Sequence, residues 1–268
     1  MVSAKKNDRG AKGDFSLFDR PEVSQFIFYP RRDPPPQDDI ALYPVEVGEG
    51  VSVVCRFYPA PEGKATILYF HGNGETAGDY DLVSSLYSAL GINLFVADYR
   101  GYGLSTGEPT ISHILHDAHP IFERLRAVLG DGNYPEALFV MGRSLGSAPA
   151  IEVAHHYQKQ LKGLIVESGF ASSRKQFARL GVTHLFQDIE DPVGFCNDIK
   201  IREILIPTLI IHGEADQIIP VEEGKALYEL SNARNKVSFF VPHAGHNDLM
   251  EQSLSDYMDS IVKFTDRE

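Results

Sequence analysis

A hydrophobic run ending in Phe139-Val140-Met141 stops at Gly142, and a serine follows between glycines: Gly142-Arg143-Ser144-Leu145-Gly146, then Ser147, Ala148 and Ala150. A tight turn would account for the glycines. A nucleophile would account for the serine as well. A sharp strand-to-helix turn holds the hydroxyl in a strained backbone conformation and tolerates only tiny residues two before and two after it. The Ser144 side chain and the Leu145 N–H then sit at a helix N-terminus, where the dipole favours negative charge.

A serine hydroxyl is a weak nucleophile until an imidazole takes its proton, and the imidazole needs a carboxylate to fix its tautomer. Both types follow later strands. Leu209-Ile210-Ile211-His212-Gly213 leads into Glu214 and Asp216, and Phe240-Val241-Pro242 leads into His243 and His246. Asp216 is preferred because it lies further into its loop, with Glu214 as the fallback. His246 is preferred because His243 follows directly on the strand, while Gly245 lets the loop bring His246 over the sheet. The chain order Ser, Asp, His suits a nucleophile-elbow scaffold.

An earlier strand ends in His71-Gly72-Asn73-Gly74. Glycines there let backbone N–H groups turn toward a neighbouring oxyanion, with Asn73 as the candidate donor beside Leu145 and Gly74 second. A Gly-rich turn capping a helix is the plainer reading of the same residues. His71 reads as a structural hydrogen-bonder. Asp98 and Arg100, in Asp98-Tyr99-Arg100-Gly101-Tyr102-Gly103, read as ties between loops. Glu167 lines a pocket or serves as a satisfied structural carboxylate. His113, His116, His119, His155, His156, His184 and His212 are placed on helices or beside turns, mostly as surface or packing residues.

The elements that must position these groups alternate. Residues 41–47 and 51–59 read as a hairpin around Gly48-Glu49-Gly50, and strands follow at 65–71, 92–98, 136–142, 161–168, 207–213 and 236–242. Helical spacing fills 81–90, 111–129 (with a kink expected at Pro120), 145–160, 225–232 and the C-terminus. Continuous apolar strands alternating with helices imply a mostly parallel α/β sheet of about eight strands, covered on both faces. Ligands then sit beyond the carboxyl ends of the strands. Residues 1–40 are expected to be a disordered leader (1–14) and an irregular packing arm whose prolines keep it from being a helix; 41–268 form one domain with a small helical cap at 169–206.

Bulk properties narrow the function. The chain has 268 residues, 43% hydrophobic and 23% charged, and a formal net charge of −12. That sign argues against nucleic acid as a partner, since phosphate binding needs a basic face. Cys55 and Cys196 have neither metal-ligand spacing nor the number for a disulfide framework, and read as free thiols in a reducing compartment. The N-terminus carries no signal-peptide or membrane-anchor pattern. The expected location is cytoplasmic.

Taken together and in order, HGNGET, DYRGYGLSTGEP, GRSLGS, IPTLIIHGEADQIIP and AGHND resemble the α/β-hydrolase superfamily over residues 40–265. They look closest to its branch of depalmitoylating thioesterases, lysophospholipid hydrolases and uncharacterised bacterial hydrolases. The resemblance implies Ser144 as nucleophile, Asp216 as acid, His246 as base, and an oxyanion hole from the backbone N–H groups of Asn73 and Leu145. It implies no metal and no organic cofactor. Eukaryotic relatives carry an N-terminal anchor or acylated cysteine cluster; this chain reads without one, so a membrane-bound acyl-protein is not the expected substrate. The small cap suggests an accessible pocket, for which Gly74, Phe170 and Phe177 are candidate lining residues; Phe170 and Phe177, with Leu180, Leu185 and Phe186, serve equally well as the cap's own core. The leading expectation is a serine hydrolase acting on a carboxylic ester or thioester substrate. A peptidase or amidase, and a hydrolase fold kept as a binding protein, are the alternatives.

Overall fold

The computed structural model describes residues 18–36, 40–186 and 194–266; the expectation of disorder over 1–14 lies outside them. Eight strands form one sheet: β1 (Ala41–Gly48), β2 (Val51–Tyr58), β3 (Ala65–Phe70), β4 (Ile92–Ala97), β5 (Leu138–Arg143), β6 (Gly163–Glu167), β7 (Thr208–Gly213) and β8 (Lys236–Val241). Their order is β1-β2-β4-β3-β5-β6-β7-β8. The β1–β2 hairpin is antiparallel and sits at one edge, and β2 pairs antiparallel with β4. From β4 to β8 every pairing is parallel.

Residue alternation explains why the parallel strands read as unbroken apolar runs. On β3, Leu68 and Phe70 enter one core while Ile67 and Tyr69 enter the other. A central strand under helices on both faces has no polar side to show. The helices are α1 (Pro21–Ile27), α2 (Tyr80–Ser88), α3 (Ile111–Asp131), α4 (Ser147–Tyr157), α5 (Ser173–Arg179), α6 (Asn197–Glu203), α7 (Val221–Leu230) and α8 (Leu249–Thr265). Helix α3 continues through Pro120 as one element, whereas α8 carries a non-helical residue at Ser253.

After β4, the chain crosses back over β3 to lay down β5. The strand order reverses there, and loops leaving β3 and β5 diverge to open a crevice. The two loops that carry Asn73 and Ser144, after Phe70 and Arg143, leave the sheet at this reversal.

The arm departs from expectation. It contains α1, because Pro21 sits in the first helical turn, where its missing N–H has no intrahelical partner to lose and its fixed φ suits the helix. Phe18, Val23, Ile27 and Phe28 are buried against the body, while Phe26 and Tyr29 are 49% and 55% exposed. The cap holds α5, a short 3-10 turn at Thr183–Phe186, and α6.

Candidate active site

Ser144 has φ +54°, in the left-handed region that a side chain adopts at a cost. The flanking glycines make the turn possible. A Cβ on Gly142 would overlap the Gly146 carbonyl, and one on Gly146 would overlap the carbonyls of Phe70 and His71. The turn therefore presses directly against the end of β3. Ser147 Oγ donates to the Ser144 carbonyl at 2.6 Å, bracing the first turn of the following helix.

The structure brings Ser144, His246 and Asp216 together. His246 Nε2 lies 3.0 Å from Ser144 Oγ, and His246 Nδ1 lies 2.7 Å from Asp216 Oδ2. All three residues are buried, at 8%, 8% and 6% exposure. Glu214 and His243 are exposed and outside this chain of hydrogen bonds. The other Asp216 oxygen accepts from the N–H groups of Ile218 and Ile219, each at 2.8 Å. Burial alone would raise the Asp216 pKa. Hydrogen bonds from His212 and His246, the His246 charge and the Ile219 N–H outweigh it and hold the carboxyl well below its ordinary range.

His212, grouped with the surface or packing histidines on helices or beside turns, lies at the end of β7, fully buried, with Nε2 2.8 Å from the Ile219 carbonyl and 3.3 Å from Asp216 Oδ2. It fixes the loop that presents Asp216. Its ring fills space that Gly224 on α7 leaves free, since a Cβ there would strike the imidazole. The position four residues before Asp216 was the available clue.

The loop after β3 lies beside Ser144, and its main-chain Asn73 N–H donates to no atom among the described residues. The loop is held from several directions. Tyr99 hydroxyl donates to the His71 carbonyl at 2.6 Å, and Tyr102 hydroxyl donates to Asn73 Oδ1 at 2.6 Å. Asn73 Oδ1 also accepts from Tyr29 N at 2.9 Å, and Asn73 Nδ2 donates to the Ile27 carbonyl at 2.6 Å. The arm thus braces this loop, a role its sequence did not reveal. His71 is structural, as expected: it is fully buried, with Nδ1 2.8 Å from the Gly72 carbonyl and Nε2 3.2 Å from Asp98. Burial would lower its pKa, but Asp98 and the Gly72 carbonyl raise it on balance. Asp98 and Arg100 do tie loops, though to different partners: Asp98 accepts from Ala77 N and faces His71, while Arg100 pairs with Asp117 and donates to the Val47 carbonyl.

Arg143 was read only as the variable residue before the serine. Its guanidinium joins three loops. It pairs with Glu75 of the β3 loop, pairs with Glu167 at 3.2 Å, and donates to the His246 carbonyl at 2.9 Å and Asn247 Oδ1 at 2.8 Å. Glu75 in turn accepts from Gly72 N at 2.8 Å. Burial would favour the neutral guanidine, but Glu75 and Glu167 hold it charged. Glu167, 4% exposed, also accepts from Tyr257 hydroxyl at 2.6 Å. Burial raises its pKa against the pull of Arg143 and Tyr257. A cavity of about 290 Å³ lies on this side, lined by Glu75, Tyr80, Arg143, Glu167, His246 and Tyr257 among others. Among the described residues, neither Ser144 nor any of residues 169–206 lines it.

Among the pocket candidates, a Cβ on Gly74 would meet nothing within 4 Å among the described residues. Phe170 and Phe177 are each 2% exposed; Phe170 packs edge-on to Phe195, and Phe177 stacks on Phe18 of the arm. Their burial favours the cap's own core over a substrate wall.

Residues 61–192 match the sequence profile described as serine aminopeptidase, S33, and residues 138–247 match that described as serine hydrolase (FSH1). Alpha/beta hydrolase domain-containing protein 17B of Homo sapiens is 32% identical over 238 residues, covering 87% of this chain and 77% of the human protein. Alpha/beta hydrolase domain-containing protein 17C of Mus musculus is 31% identical over 220 residues, 80% of this chain and 64% of the mouse protein. Among solved structures, the Pyrococcus furiosus esterase Pf2001 superposes with a TM-score of 0.70 at 17% identity, covering 89% of this chain and 96% of the esterase. The Paleococcus ferrophilus monoacylglycerol lipase superposes at 0.62 and 19% identity, covering 80% of this chain and 98% of the lipase.

Proposed function

Because the chain belongs to the α/β-hydrolase family and is a serine hydrolase, we propose that it cleaves a carboxylic ester or thioester through an acyl-enzyme on Ser144. The observation that carries this reading is the run from Ser144 Oγ through His246 to Asp216, at 3.0 Å and 2.7 Å. Ser144 Oγ attacks the carbonyl carbon while His246 Nε2 takes its proton. Asp216 keeps the Nδ1 proton in place and stabilises the imidazolium. The N–H groups of Leu145 and Asn73 receive the developing oxyanion, a contribution of about 3–4 kcal/mol per donor. His246 returns the proton to the leaving oxygen or sulfur. Water activated by the same imidazole then releases the acid.

Only short helices cover residues 173–203 among the described ones, and the exposed Phe26 and Tyr29 flank the Asn73 loop. These aromatics suit an acyl chain laid across the entrance. Among the described residues, no helix is long and apolar enough to cross a membrane.

A fluorophosphonate probe is expected to label the wild type and not Ser144→Ala, and the wild type is expected to hydrolyse p-nitrophenyl esters and acyl thioesters. A well-folded wild type that takes no label would overturn the reading. The serine aminopeptidase profile keeps amide cleavage as the second reading; turnover of aminoacyl arylamides in preference to esters would establish it instead.

A further inference from the structure

Away from the crevice, α3 and α4 bring three metal-ligating side chains together. His119 projects from α3, and Glu152 and His156 lie four residues apart on one face of α4. Their nearest ligand atoms all lie within 4.8 Å of one another. We infer that His119, Glu152 and His156 form a binding site for a borderline divalent transition-metal ion of the Zn²⁺ class.

The surroundings already orient the ligands as a metal centre would need. Tyr157 hydroxyl stands 3.2 Å from His119 Nδ1, which turns Nε2 toward Glu152 Oε1 at 3.3 Å. Nε2 and Oε1 face each other across the place taken by the hydrogen of a ring N–H, or by a metal ion that replaces it. The other Glu152 oxygen is occupied by Lys200 Nζ at 2.5 Å, so Oε1 is the one left for a ligand bond. The His156 ring stands edge-on to His119 with centroids 4.8 Å apart. Two imidazoles and one carboxylate suit Zn²⁺, which binds them at about 2.0–2.2 Å. Closure to that geometry needs only side-chain rotation, and His156 is exposed and free of core packing. The exposed side leaves a fourth position for water. Since α4 leaves the Ser144 turn, an ion here would also tie that helix to α3.

The test is calorimetric titration of the chelator-stripped full chain with Zn²⁺, with Co²⁺ as the spectroscopic probe. Wild type is expected to bind one equivalent at this site, and its melting temperature to rise with Zn²⁺. His156→Ala, an exposed change that spares the fold, should weaken binding at least about tenfold and abolish the thermal shift. His119→Asn should do the same, whereas His184→Ala, on an exposed turn elsewhere, should bind as wild type does. Co²⁺ bound to wild type should show the strong visible absorption of a four-coordinate nitrogen and oxygen site, absent in His156→Ala. If both site variants keep wild-type affinity within about threefold, or if wild type takes up no Zn²⁺, the inference is overturned.

Discussion

The Arg143 guanidinium donates a 2.9 Å hydrogen bond to the main-chain oxygen of His246. The side chain next to the proposed nucleophile thus holds the backbone of the proposed base. The same guanidinium pairs with Glu75, which fixes Gly72 N, and with Glu167 at the end of β6. One cation therefore sets the spacing between three loops that share no local sequence.

Replacing Arg143 by Met should destabilise the fold by about 3–5 kcal/mol, because Glu75 and the buried Glu167 would be left without their cation. Chemical denaturation measures this. Arg143→Lys should recover only part of the loss, since an ammonium cannot reproduce the planar fork that reaches both carboxylates and the His246 carbonyl. Full recovery with Lys would mean that charge alone matters.

Asp216→Asn should lower kcat about 10³–10⁴-fold with little change in the melting curve's shape. The amide keeps the size of the carboxylate but cannot stabilise the imidazolium or hold the Nδ1 proton at 2.7 Å. Glu214→Gln, at an exposed position, should leave kcat within about twofold of wild type. A reversed pattern in steady-state kinetics would move the role to Glu214.

The pH profile of kcat/KM should have an acid limb of slope one. Asp216 has its pKa depressed, so its charge is constant from neutral pH down to well below the ordinary carboxylate range. Loss of activity on acidification above that range then does not come from Asp216. The sign for stability is the same: a depressed folded-state pKa stabilises above the unfolded carboxylate value, and that contribution disappears as pH falls through the folded one. An acid limb of slope two would show that Asp216 titrates within the working range.

Asn73→Ala should lower kcat about ten- to a hundredfold and affect KM less. The change keeps the main-chain N–H but removes the side-chain bonds to Tyr29 N, Tyr102 hydroxyl and the Ile27 carbonyl, freeing the loop to drift. Tyr102→Phe removes one of these bonds and should lose less. An Asn73→Ala enzyme with wild-type kcat would show that the loop holds its place without the arm.

Gly146→Ala should abolish soluble, active protein, because the added methyl meets the Phe70 and His71 carbonyls rather than a side chain that could move. Expression and circular dichroism would check this. The same change at Gly130, whose Cβ position is open on α3, is expected to be neutral or slightly stabilising.

By itself the sequence determined the parallel sheet and the three residues that the structure assembles beyond the carboxyl ends of its strands. The reason is local: an apolar strand is legible from its own run of residues, and a parallel sheet gathers the ends of successive strands on one side. Ser144, Asp216 and His246 each lie a few residues past such an end, so identifying the strands was enough to bring them together. The α1 helix was hidden because the prolines of residues 30–36 were taken to bar helix from the whole arm, whereas α1 starts at Pro21 and ends at Ile27, before them. Only the tertiary structure decided what Arg143, His212, Asn73 and His119 touch. Their partners lie on other elements or across a loop turn: Arg143 meets Glu75 from 68 residues away, and Asn73 meets Ile27 from 46. Such contacts leave no periodic trace in the chain, since the direction of each side chain is set by packing between elements.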